Sequence, residues 1–182
     1  MKETEIIQAL RARLGTPTGR QLYGVVGTYP ALKHFAGSLR QVRMPDGERF
    51  PKPLSVNRGI LQSLGADELR RLAADEGVFP EPVAARLAQA FEAFLRSRLK
   101  EHGLLVLHEL ELLFAYAVEL SCLRALAADR DRVVLLLPGR KESGRVIMYP
   151  GLTPGSYSLP VNLIADDHLW ELDREPRGGA NT

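Results

Sequence analysis

The sequence predicts an α/β fold: a mostly parallel sheet flanked by helices, finishing in a β-hairpin extension. Three observations predict it. LLVL (Leu104–Leu107) and VVLLL (Val133–Leu137) are apolar at every position, which marks strands covered on both faces. Stretches of helical period separate the apolar runs. Near the C-terminus the pattern changes to GRVIMYPG (Gly144–Gly151) and SYSLPV (Ser156–Val161), strand-like pieces set apart by Gly/Pro turns.

Each element follows from local pattern. Ile6, Ile7, Leu10 and Leu14 recur at helical spacing and predict a helix over 3–14, stopped by Gly15 and Pro17. QLYGVVG (Gln21–Gly27) is a short apolar run ending in glycine and predicts a buried strand over 21–26. Leu32, Phe35 and Leu39 predict a helix over 31–40. QVRMPDGERFPKP (Gln41–Pro53) centres on Pro-Asp-Gly and is read as an exposed hairpin or loop. LSVN (Leu54–Asn57) is the next strand, followed by helical stretches over 58–75 and 81–100. In the latter, Val83, Leu87, Phe91, Phe94, Leu95 and Leu99 form one stripe, and Gly103 ends it. Strand 104–108, helix 118–128 and strand 133–137 complete the pattern. The tail from about residue 174, REPRGGANT, is polar and expected to fray. With no repeat and no linker, 1–182 reads as one domain.

Composition narrows the class. The 182 residues are 45% hydrophobic and 25% charged, which excludes a disordered chain, a collagen-like fibre and a coiled-coil rod. Net charge is +2, carried on 19 Arg and 5 Lys, so no strong global field draws the chain to nucleic acid or an anionic membrane. A single cysteine, Cys122, forbids an intramolecular disulfide and an all-Cys zinc site; it reads as a small core residue. The acid-bearing N-terminus is not a signal peptide, and no apolar run spans a bilayer. A soluble cytoplasmic protein with no membrane partner is expected.

A strand, a glycine and a helix open the sheet, the setting of a phosphate-binding P-loop. Gly27-Thr28-Tyr29-Pro30-Ala31-Leu32-Lys33-His34 matches G-x-x-x-x-G-K-[ST] at Gly27 and Lys33. Leu32 replaces the second glycine, which lets backbone N–H groups close on phosphate. His34 replaces the hydroxyl that ligates Mg²⁺. LLVLHELELLF (Leu104–Phe114) has the form of a Walker B segment with His108 where the Mg²⁺-holding Asp belongs and Glu109 after it. Phosphoryl transfer depends on metal-assisted electrostatics, so losing both metal side chains argues against ATP hydrolysis. A nucleotide site here would comprise Gly27, Lys33, His34 and His108, with Glu109 as the alternative catalytic group and ATP as the alternative cofactor. The two histidines with Glu109 or Glu111 are also weighed as a zinc site. The reading preferred over it is eroded positions, with no metal and no cofactor.

The order of degenerate P-loop, LSVN, two helices, VLHELELLF, helix and VVLLLPGR…GRVIMYPG resembles the small P-loop-fold proteins of BREX phage-resistance systems. It is most similar to the BrxF kind, with the BrxB kind as a second relative. The resemblance covers residues 20–151 and rests chiefly on ELELLF (Glu109–Phe114) and the pair Leu135–Gly139 and Met148–Gly151. It implies a mostly parallel P-loop NTPase-like sheet and a cytoplasmic component of a multi-protein antiviral complex. Departures at Leu32, His34 and His108 shift the expectation from a BrxF-like nucleotide-binding role to an adaptor contacting other subunits, such as a PglZ-like protein.

Other features read blandly. Arg43 and Arg49 in the loop after residue 40 are the candidate DNA contacts, but only Phe50 is there to stack on a base, so a solvated loop is preferred. Arg140, Lys141 and Arg145 read as a charged hairpin that discourages edge pairing. His102 and His168 read as surface or loop histidines. Trp170 reads as a packed anchor for the C-terminal segment.

Overall fold

Four apolar strands need partners on both sides and cover on both faces, and the chain supplies them from distant stretches. In a computed structural model, which describes residues 1–16, 19–75, 80–149, 157–160 and 162–173, the fold is α/β with a seven-stranded, mostly parallel sheet flanked by helices. Contacts divide the chain into two compact units. One holds Met1–Thr16, Gly24–Phe50 and Leu136–Thr182; the other holds Pro17–Tyr23 and Pro51–Leu135. The strands include β1 (Leu22–Gly27) and β4 (Arg132–Glu142).

The first unit opens with α1 (Glu3–Gly15). The Glu5 carboxylate accepts from the Lys2 N–H at 2.9 Å, and Ile6, Ile7, Leu10 and Leu14 are buried. β1 is buried at every residue and leads to α2 (Tyr29–Leu39), which buries Leu32, Phe35 and Leu39. The loop after α2 folds back on itself: Arg43 bridges Arg49 in antiparallel register across the Pro-Asp-Gly turn, with Gly47 at φ 89°. Met44 and Phe50 root this turn in the core.

β4 pairs in parallel with β3 (Leu104–His108) through Arg132–Leu135. Beyond Pro138 it becomes one arm of a hairpin with β5 (Arg145–Met148). Ser143 and Gly144 both have positive φ, 49° and 77°, as a tight hairpin turn requires. β6 (Tyr157–Ser158) adds to β5 in antiparallel register, so the C-terminal β extension is present. Part of the expected second hairpin strand, the Pro-Gly pair closing GRVIMYPG and the tail from 174 lie outside the described residues. A strand absent from the sequence reading, β7 (Leu169–Glu171), pairs in parallel with β1 at Gly24↔Leu169 through Val26↔Glu171. Trp170 is buried within it, the packed anchor expected. His168, expected in a surface loop, is 8% exposed at the end of a 3-10 turn (Asp166–His168) that delivers the chain into β7.

In the second unit, β2 (Leu54–Ser55) is shorter than the expected strand over 54–57, because the Ser55 hydroxyl accepts the Arg58 N–H at 3.1 Å and starts α3 (Val56–Leu64). The single helix expected over 58–75 is broken at Gly65, whose φ of 72° suits glycine, so α4 (Ala66–Asp75) follows as a separate helix. α5 (Pro80–His102) carries the expected stripe, with Val83, Leu87, Phe91, Phe94, Leu95 and Leu99 all buried. Glu68 of α4 pairs with Arg86 of α5, whose guanidinium holds the Glu68 carboxyl below the usual carboxylate range. Two short helices follow β3, α6 (Glu111–Ala115) and α7 (Ser121–Leu126); the latter is half the length expected over 118–128. The sheet order is β2-β3-β4-β1-β7, with parallel pairing at β2·β3, β3·β4 and β1·β7.

Candidate functional site

Open parallel sheets bind ligands outside the carboxyl ends of their strands, where the strand order reverses. In this sheet β1 and β4 are neighbours there: β4 leads on from β3 on one side, while β1 is followed in sequence by a jump to β2. Within the first unit, a crevice of about 1100 Å³ opens at that end of β1. Its lining includes Gly27, Thr28 and Ala31, together with Gly139 and Arg140 of β4.

The segment read as a phosphate loop is helical from Tyr29 onward. Thr28 is its N-cap, with extended backbone at φ −75° and ψ 157°, and the Thr28 hydroxyl accepts the Ala31 N–H at 3.4 Å. The Leu32 N–H donates to the Thr28 carbonyl at 2.9 Å. Pro30 has no N–H at all. A helix start leaves four N–H groups for an anion. Here one of them does not exist and another is spent on the cap. Leu32, at the second-glycine position, is 4% exposed and belongs to the core. A threonine cap followed by proline in the first turn is a helix-start signal that was legible in the sequence and outweighs the glycine spacing.

Of the expected nucleotide residues in this unit, Gly27 and His34 line the crevice. Lys33 is exposed on α2 and does not line the crevice, which α2 meets through Pro30, Ala31 and His34. The His34 side chain is 79% exposed, and its Nδ1 lies 2.8 Å from Glu3 Oε2. Charge in the crevice is mixed. Lys2, His34 and Arg140 share the lining with Glu3, Glu171 and Asp173. Asp173 Oδ1 is 2.5 Å from the Met1 amine, Glu171 Oε1 accepts the Lys141 N–H at 3.3 Å, and Arg140 Nη2 is 3.1 Å from Glu142.

His108 and Glu109 belong to the second unit. His108 is the last residue of β3, and its Nδ1 lies 3.5 Å from Glu109 Oε1. Glu109 turns the chain with φ 56°. The residue that organises this turn is Asn57. Its N–H donates to the Glu109 carbonyl at 3.0 Å, its Nδ2 donates to Glu111 Oε2 at 2.8 Å, and its Oδ1 accepts the Leu112 N–H at 3.1 Å. Reading LSVN as a strand concealed this role; the serine cap two residues earlier is the signal that places Asn57 in a first helical turn. Among the described residues no group of three or more His, Cys, Asp or Glu is arranged to hold a metal.

Arg43 and Arg49 are brought together on an exposed turn, where Arg43 Nη1 donates to the Gly47 carbonyl at 2.7 Å. Phe50, the one aromatic beside them, is buried and presents no stacking face. No helix among the described residues is long and apolar enough to cross a membrane.

The chain matches no protein-family model, no curated protein and no solved structure. The crevice has a capped helix start, and charged groups of its lining are engaged: His34 with Glu3, Asp173 with the Met1 amine and Arg140 with Glu142.

Proposed function

We propose that this chain is a non-catalytic adaptor or regulatory subunit, built on a P-loop-type sheet, in a cytoplasmic BREX-type phage-defence complex. Its partners are other subunits of that complex, a PglZ-like protein among them. The observation that carries the reading is the start of α2 one residue after β1 ends: Thr28 caps the helix, Pro30 removes a donor and Leu32 is buried where a phosphate loop needs glycine. Histidines at both metal-side-chain positions, His34 and His108, agree with it. No metal or nucleotide chemistry is invoked.

The test is a melting curve with ATP, ADP and GTP, each with and without Mg²⁺, beside a Lys33→Ala variant. A ligand at about 100 times its Kd adds roughly 2.7 kcal/mol to stability, which such a curve resolves. No nucleotide-dependent rise is expected, together with co-elution of the chain with a purified PglZ-like protein in size-exclusion chromatography. A rise that disappears in Lys33→Ala would replace the adaptor with a nucleotide-binding, ATPase-like switch. Melting curves unmoved by nucleotide with no co-elution would remove the named partner.

A further inference from the structure

We draw no further inference here: the strongest candidate, the crevice of the first unit at the carboxyl end of β1, belongs to the site already described, and its acids Glu3, Glu171 and Asp173 already meet His34, the Lys141 N–H and the Met1 amine, so no group on its walls names an occupant.

Discussion

Gly59 shows how tightly a single position can bind sequence to packing. It sits buried on α3, and a Cβ placed there would fall inside the van der Waals envelope of the Phe94 ring on α5. Alanine would gain up to about 1 kcal/mol in helix propensity. Overpacking of this kind costs about 1–3 kcal/mol, so the steric effect wins. Gly59→Ala is expected to lower the urea midpoint with an unchanged m-value, and Phe94→Leu in the same chain should recover part of the loss; a higher midpoint for the single variant would show that α3 and α5 give way freely. Cys122 makes a second residue-scale case. Burial, and after it the negative charge of Glu92, push its thiol pKa up. A raised pKa means less thiolate at any given pH. Alkylation at pH 8 should therefore run slower than for a small free thiol, and Glu92→Gln should speed it. Equal rates in the two proteins would rule out the Glu92 contribution.

At the scale of the element, α2 decides what the end of β1 can do. Its first turn is organised by Thr28 and anchored by Leu32, so restoring the glycine of a phosphate loop removes a core residue without rebuilding a loop. Large-to-small substitution of a buried leucine costs about 2–5 kcal/mol, and glycine inside a helix costs about 1 kcal/mol more. Leu32→Gly is thus expected to melt at a markedly lower temperature and to remain indifferent to MgATP. A nucleotide-dependent rise in that variant would mean that the segment can reopen as a loop, and that one side chain alone closes it. The β4 strand is the other deciding element. Its parallel half, Arg132–Leu135, lies against β3, whereas its second half, beyond Pro138, is devoted to the hairpin with β5. One apolar strand thereby serves both the parallel sheet and the C-terminal extension.

For the whole molecule, the charge balance bears on partners. A net charge of +2 leaves nucleic-acid binding to local clusters, and the most compact one in the loop after α2 is Arg43 with Arg49. Arg43 already donates to Gly47, and the neighbouring Phe50 is buried. Weak retention on heparin at about 0.15 M salt is expected, where the Debye length is about 8 Å, with no difference in an Arg43→Gln/Arg49→Gln variant. Steep, salt-dependent retention lost in that variant would make the turn a DNA-binding module, since each phosphate contact adds about 0.9 to the salt slope.

Periodicity and apolar runs by themselves determined the α/β class, the first helix, the long stripe from Val83 to Leu99, the buried strands at 104–108 and 133–137, and the turn at Pro45–Gly47. These are local properties, written in spacings of two to four residues, and they survive without knowledge of neighbours. What tertiary structure alone decided depends on partners far along the chain. Leu169–Glu171 is too short to show a period and becomes a strand only because β1 offers it a parallel edge. His168 is buried by the turn that feeds that strand. Asn57 gains its role from Glu109, Glu111 and Leu112, more than fifty residues away. The glycine and lysine spacing at Gly27 and Lys33 was legible, as was the threonine-proline helix start that competes with it. The sequence lists both signals without ranking them; tertiary structure buries Leu32 and gives the Ala31 and Leu32 N–H groups to Thr28.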